Sequence, residues 1–382
     1  MTKKMVFICG AARSGTTLLT NLLDGHPSAF MLPSETHILQ EWNYHKTHDT
    51  LERYFLRDFF NSHDVLLFTC EETRIEWDSY LNKVYKTGAY VKWKLVDRKD
   101  FIRKYLEVFS EDGFSLKSVY QGLFKAVMPQ EEYENDNKLL IDKRPFENEV
   151  SAELLAKEFP DAKFIHIIRD PRARYLSAKM RTVLPRLGFL WKQSGNVNGL
   201  DFATAHSQIA MTSMELARLN QDLLGDKYHV VCYEDLVKFP EQEMKKIASF
   251  LKIDFNDILL RQTSNKEEQE ACSSVDGGEV SGVTDFSEAR LKKYYRNTSY
   301  TERMILNMFT WKIGKYFNYD LEQIENLRIK DLLLPLKWEG PEDYLPNRNY
   351  MLKNLRGKSS FVREKHFHNI LNQFSRGETI TD

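Results

Sequence analysis

Gly10-Ala11-Ala12-Arg13-Ser14-Gly15-Thr16-Thr17 is the stretch whose reading decides the fold. A short apolar run, Met5 to Cys9, precedes it, and an amphipathic one, Leu18 to Leu23, follows. Strand, glycine-rich loop and helix in that order cradle phosphate groups. The loop N–H groups and the positive end of the helix dipole converge on one anion. The loop matches G-x-x-x-x-G-K-[ST] except that Thr16 stands in place of the lysine. That lysine reaches the outer phosphates of a nucleoside triphosphate, so its replacement points to a nucleotide with a shorter, less charged 5′ chain. The bland alternative is a tight strand-to-helix turn with no ligand. In the helix, Leu18, Leu19, Leu22 and Leu23 share one face; Gly25 is a natural residue to follow its end, and Pro27 blocks continuation.

The chain of 382 residues is 42% hydrophobic, enough for one large core or two smaller ones. Its 54 Lys+Arg nearly balance 55 Asp+Glu, so nothing global points to nucleic acid or an anionic membrane surface. Cys9, Cys70, Cys232 and Cys272 are scattered with no C-x-x-C pair, which reads as reduced thiols of a cytoplasmic protein. The apolar run after Lys3 and Lys4 is too short for a signal peptide, and none approaches the length of a membrane span. No metal-ligand spacing is visible, and oligomeric state is not legible.

Short apolar runs recur at Met5–Cys9, Leu139–Ile141, Phe164–Ile168 and Tyr228–Cys232. Helical patterns follow them, for instance Glu149 to Phe159 and Pro240 to Leu251. The alternation predicts a P-loop-type three-layer α/β sandwich with a central parallel sheet and a large helical insertion. Ligands of such sheets bind beyond the carboxyl ends of the strands. The residues to interrogate are therefore 10–17, Asp142-Lys143-Arg144 and Arg169-Asp170. Residues 1–330 read as a single domain in which 36–135 is the mostly helical insertion, and 331–382 as a C-terminal extension. Trp42, Tyr44, Tyr54, Phe55, Phe59 and Phe60 crowd the insertion, either lining an acceptor pocket or completing the core. A strand is expected at Tyr90–Val96. Helical periodicity returns at Ile209–Leu223 and Tyr300–Phe317. Loops are expected at Gln193–Gly199 and Ser273–Gly282, and a basic helical segment at Lys353–His368.

A second element is Phe164-Ile165-His166-Ile167-Ile168-Arg169-Asp170-Pro171-Arg172-Ala173-Arg174-Tyr175-Leu176-Ser177. It reads as a buried strand, an arginine and a helix opened by Pro171. Arg169 and the Ser177 hydroxyl can reach one phosphate, the arginine presenting a planar fork to its oxygens. The alternative pairs Arg169 with Asp170, leaves Ser177 an ordinary helix residue and turns Arg172 and Arg174 to solvent.

With both elements in this order, the chain resembles the sulfotransferases that use 3′-phosphoadenosine 5′-phosphosulfate (PAPS). It is similar in particular to the Golgi-type, tyrosylprotein-like and bacterial branches, which share R-S-G-T-T-L and the following His26-Pro27. The resemblance covers roughly residues 5–36 and 138–180, with Tyr233-Glu234-Asp235-Leu236 as a further matching segment. It implies that Gly10, Arg13, Ser14, Gly15, Thr16 and Thr17 hold the 5′-phosphosulfate, and Arg169 with Ser177 the 3′-phosphate. The missing lysine then follows, because the donor has no γ-phosphate. PAPS would be the co-substrate, the bisphosphate PAP the product and no metal required. The acceptor would be the hydroxyl of a small molecule or carbohydrate.

The resemblance also implies a base, Glu35, and a cation for the leaving phosphate, Lys143. Glu35 lies eight residues after Pro27, one more than in the related enzymes, and His37 replaces an arginine of the tyrosylprotein branch. As an alternative, Glu35 sits in the first turn of a helix capped by Ser34. Lys143 alternatively pairs with Asp142 or Glu147, or yields its role to Arg144. Arg290, Lys292 and Lys293 are candidates for a loop closing over the nucleotide. His26 reads as structural, and Glu71-Glu72-Thr73-Arg74, though similar to the tyrosylprotein sequence, lies too far from the loop. The rival readings are an ATP- and Mg²⁺-dependent P-loop kinase and a non-catalytic nucleotide-binding module.

Overall fold

The computed structural model describes residues 3–32, 35–76, 95–183, 199–264, 266–268, 294–295, 298 and 300–321. Within them, β1 (Lys4–Cys9), β2 (Ala29–Met31), β3 (Leu139–Lys143), β4 (Lys163–Ile168) and β5 (Tyr228–Cys232) form one sheet in the order β2-β3-β1-β4-β5. Every pairing is parallel. The chain moves from β1 to one side for β2 and β3, then crosses to the other side for β4 and β5. The carboxyl end of β1 is thus the switch point where a parallel sheet opens a crevice. Ile8 is in register with Lys143 and Cys9 with His166, so the ends of β3 and β4 flank the loop after β1.

Alternate residues of the strands serve two cores. Val6 and Ile8 of β1, Ile141, Ile165 and Ile167 pack against Leu19, Leu22 and Leu23 of α1 (Thr16–Asp24). Met5, Phe7 and Cys9 face the opposite side, under the helices between β2 and β3. These are α2 (Ile38–Thr47), α3 (Leu51–Leu56), α4 (His63–Thr69), α5 (Arg98–Asp112), α6 (Leu116–Val127) and α7 (Gln130–Glu134). Phe7 meets Tyr120 of α6 edge-on at 5.7 Å and stacks on Phe164 at 5.4 Å. Each such ring contributes about 1.5–3 kcal/mol on burial. The aromatics of the insertion belong mainly to this core. Trp42, Phe55, Phe59 and Phe60 are buried, whereas Tyr44 is 55% exposed.

Among the described residues the remaining α-helices are α8 (Glu147–Val150), α9 (Ala152–Glu158), α10 (Pro171–Val183), α11 (Gly199–Leu224), α12 (Tyr233–Lys238), α13 (Pro240–Leu251) and α14 (Tyr300–Tyr316). The helix expected over Glu149–Phe159 is thus two short ones, α8 and α9. Strand β2, only three residues long, carries too little pattern to be visible in the sequence. Gly25 follows α1 with φ −72, so left-handed geometry is not why it is glycine. The reason is space: a Cβ there would lie 2.6 Å from Ile258 Cγ1. Residues 90–94 of the strand expected at Tyr90–Val96 lie outside the described residues, and Leu95 and Val96 are not in a strand. Cys272, Arg290, Lys292, Lys293 and the whole of 331–382 also lie outside the described residues.

Candidate functional site

The loop joining β1 to α1 lies at the switch point. Gly10 has φ 133, Arg13 φ 75 and Gly15 φ 107, so the backbone turns tightly through left-handed geometry between β1 and α1. A Cβ on Gly10 would sit 2.5 Å from the Ile167 carbonyl oxygen. At Gly15 it would run into the ring of Tyr233. Both glycines are therefore required by contact as well as by conformation. Gly15 occupies the N-cap position of α1 with no side-chain cap, so the first-turn amides keep their donors for a ligand. Thr17 is exposed at this end, whereas Ser14 and Thr16 are buried.

On the β4 side, Arg13 Nε donates to Ser177 Oγ at 3.1 Å, and Arg169 donates to the Arg13 carbonyl at 3.1 Å. The Arg169 guanidinium lies 4.0 Å over the Tyr233 ring. Its Nε is buried with no hydrogen-bond partner among the described residues, an arginine edge suited to an anion's oxygens. The alternative pairing with Asp170 is not found, because that carboxylate is taken by Arg172 at 2.7 Å. Neither Arg172 nor Arg174 faces solvent. Arg174 is 2% exposed and donates to the His206 carbonyl at 2.9 Å. Behind them Glu234 accepts from the Asp170 N–H at 2.9 Å and from the Tyr319 hydroxyl at 2.8 Å. The Tyr233-Glu234 pair thus fixes the turn that presents Arg169.

On the β3 side, the Lys143 ammonium is 2.7 Å from a Glu35 carboxylate oxygen and 3.4 Å from Thr17 Oγ1. Arg144 reaches the other Glu35 oxygen at 3.5 Å and pairs with Glu147 at 3.1 Å. The alternative partners for Lys143, Asp142 and Glu147, are engaged elsewhere. Asp142 is wholly buried, accepting from Thr36 Oγ1 at 3.3 Å and Asn148 Nδ2 at 3.2 Å. Burial raises the Asp142 carboxyl to about 6. The Thr36 contact ties the Glu35 segment to β3 beside Lys143. Glu35 does not lie in a helix: α2 begins at Ile38, with His37 in the N-cap position. Both the His37 N–H and its Nδ1 engage the Asp64 carboxylate, the latter at 2.7 Å. Asp64 is a buried member of this group, and no motif in the chain marks it.

Outside this edge, His26 is structural as expected. Its Nε2 lies 2.9 Å from the Asp254 carbonyl, and its Nδ1 accepts from the Ser28 N–H. Arg74 pairs with Glu71 at 3.5 Å on the surface, within its own turn. Among the described residues no group of three or more His, Cys, Asp and Glu could hold a metal ion, and no helix is long and apolar enough to cross a membrane.

Sheet order and glycine loop define an α/β protein of the P-loop type, with Lys143 and Arg169 flanking the loop at the end of β1. The chain belongs to the sulfotransferase family, whose profile matches residues 5–257, well over half of it. It is 28% identical over 269 residues to the omega-hydroxy-beta-dihydromenaquinone-9 sulfotransferase Stf3 of Mycobacterium bovis, covering 67% of this chain and 65% of that protein. The chain thus spans a little under two thirds of the length of that curated relative. Over a shorter stretch of 123 residues it is 32% identical to protein-tyrosine sulfotransferase 1 of Danio rerio, covering 32% of this chain and 31% of that one. Among solved structures, the sulfotransferase domain of the Synechococcus PCC 7002 olefin synthase is 21% identical with a TM-score of 0.49, covering 84% of this chain and 98% of that one.

Proposed function

We propose that the chain transfers a sulfuryl group from PAPS to an acceptor hydroxyl. The observation that carries the reading is the Lys143 ammonium, 2.7 Å from Glu35 and 3.4 Å from Thr17. A base, a cation and the anion-binding loop share one edge. When bound, the donor supplies a sulfuryl group that leaves its 5′-phosphate with the S–O bond broken. Arg13, Ser14, Gly15, Thr16 and Thr17 line the cradle for the 5′-phosphosulfate, with Gly10 shaping the turn that leads into it, and Arg13, Ser177 and Arg169 the position for the 3′-phosphate. The residues present fit such a donor: the glycine-shaped cradle and the buried Arg169 edge both suit anionic oxygens. Glu35 takes the acceptor's proton as its oxygen forms the new bond to sulfur. Lys143 stabilises the electron pair left on the bridging oxygen of the departing phosphate. The protein's task, as in phosphoryl transfer, is positioning and charge stabilisation.

The acceptor class we favour is a small-molecule or carbohydrate alcohol, captured beside the helical segment 36–135 of a domain spanning 1–330. The similar Mycobacterium bovis protein is named for an omega-hydroxylated substrate, itself an alcohol. Cys9, Cys70 and Cys232 carry thiols rather than disulfides, which supports a reducing, cytoplasmic setting.

An assay of PAP release in the presence of excess EDTA tests the reaction against an ATP kinase. Acceptor-dependent release that is unchanged by the chelator is expected. Absence of PAP release, with acceptor-dependent ADP release from ATP and Mg²⁺ in its place, would overturn the reading, and bisphosphate binding with no transfer to any alcohol would leave a binding module.

A further inference from the structure

Behind the loop, a buried polar cluster takes no part in the chemistry above. Glu149 in α8 is 0% exposed, and its carboxylate accepts the N–H of Gly10, the first loop residue. Ser213 in α11 accepts the N–H of Ala11 at 3.0 Å, and its hydroxyl also bonds to Glu149. His166 of β4 sets Nε2 3.1 Å from Ser213 Oγ and 3.8 Å from the Glu149 carboxylate. Its Nδ1 is 2.6 Å from the Tyr228 hydroxyl of β5. Asn220 in α11 donates to the Glu149 carbonyl at 2.8 Å and to the Tyr228 hydroxyl at 3.2 Å. A carboxylate beneath an anion-binding loop is electrostatically adverse to the ligand, so its presence there calls for a function.

We infer that Glu149 is a positioning residue for the donor loop: with Ser213 it draws the first two loop amides back into the core, so that the anion nest begins at Ala12, and it takes up a proton when the anion binds. The inference rests on the reading of this loop as the donor site.

The groups facing Glu149 set the balance between its two forms. Burial is the largest influence and pushes its carboxyl up to about 7. The Gly10 and Phe146 N–H groups and the Ser213 hydroxyl favour the ionised form, as does the Arg174 guanidinium from α10. Arg174 is itself lowered to about 10 by burial, and it also faces Arg13 and Arg169. His166 is held neutral, burial lowering it to about 3. From β5, the Tyr228 phenol stays protonated, burial raising it, with the Cys9 thiol of β1 beside it. An anion arriving at the nest repels the ionised carboxylate and raises its pKa further. Free Glu149 is largely protonated below about pH 7, so binding there needs no proton; above it, binding must draw one from solution. Affinity therefore falls as pH rises, by at most about tenfold per unit.

The test is calorimetric titration with PAP and, in parallel, inorganic pyrophosphate, in buffers of differing ionisation enthalpy. It runs from about pH 6 to about pH 8, and compares the wild-type chain, Glu149→Gln and Ser213→Ala. Phosphate groups with pKa near 6 bring protons of their own, so the difference between variants is the readout. Wild type and Ser213→Ala are expected to take up a proton that Glu149→Gln does not, with Ser213→Ala binding more weakly. The affinity of Glu149→Gln should lose the Glu149-linked part of the pH slope. Equal proton uptake in wild type and Glu149→Gln overturns the inference. Should Glu149→Gln not fold, wild type showing no uptake beyond the ligand's own overturns it equally. Pyrophosphate bound with Glu149-dependent uptake while PAP is refused supports the inference and overturns the donor reading instead.

Discussion

Glu35→Gln is expected to lower turnover by about 10²–10⁴-fold, the range for removing a positioned general base, with PAP affinity nearly unchanged. The substitution keeps the side chain's size and an acceptor oxygen but removes the carboxylate proposed to receive the acceptor's proton. It also breaks the 2.7 Å pair with Lys143. Lys143 has 17% of its side chain exposed and retains Thr17, so the unpaired ammonium is accommodated at small cost. Lys143→Ala acts on the same step from the leaving-group side, and loss of one oriented charge or donor there costs about 10²–10³-fold in turnover. Pre-steady-state measurement of PAP formation on preformed donor complexes checks both. A near-wild-type transfer rate in either variant removes that residue from the mechanism. A loss confined to donor affinity would make Lys143 part of the cradle instead.

Arg169→Ala has the second large effect, and it discriminates among ligands. Losing a charge-assisted hydrogen bond to a phosphate costs about 1.5–3 kcal/mol, or roughly 10–10²-fold in affinity. That loss is expected for PAP, which carries the 3′-phosphate, and not for 5′-AMP, which lacks it. Arg169 also supports the Arg13 carbonyl at 3.1 Å, so a purely architectural role predicts equal losses for both nucleotides. Arg169→Lys separates the possibilities further, since it keeps the charge but not the planar fork lying over Tyr233. Titration of both nucleotides into the three proteins decides between them.

The loop at 10–17 and the Arg169–Ser177 element are legible in the sequence because each is one contiguous strand, turn and helix. Their adjacency follows from parallel-sheet topology. The strand order puts β3 and β4 on either side of β1, which brings Lys143 and Arg169 to the two flanks of the loop. What escapes the sequence depends on distant packing. Arg174 looks like a surface arginine in the first turns of α10, yet it is buried toward Glu149. Glu149 and Ser213 meet the loop from helices far away in the chain, and neither carries a motif. The rings around Trp42–Phe60 suit a ligand pocket or a core equally by composition; only the burial of Phe55 and Phe59, in the cluster that also holds Phe7 of β1, reveals core. Gly25 has the look of a left-handed helix end, but its role is to admit Ile258.

The most direct test of the donor assignment is isothermal titration of the full chain with PAP, 5′-AMP and ATP with Mg²⁺ under one set of conditions. Thr16 in place of the lysine, and Arg13, Ser177 and Arg169 grouped beside the loop, call for PAP to bind far more tightly than the other two. Preference for ATP with Mg²⁺ would contradict the account and make Gly10–Thr17 a variant kinase loop.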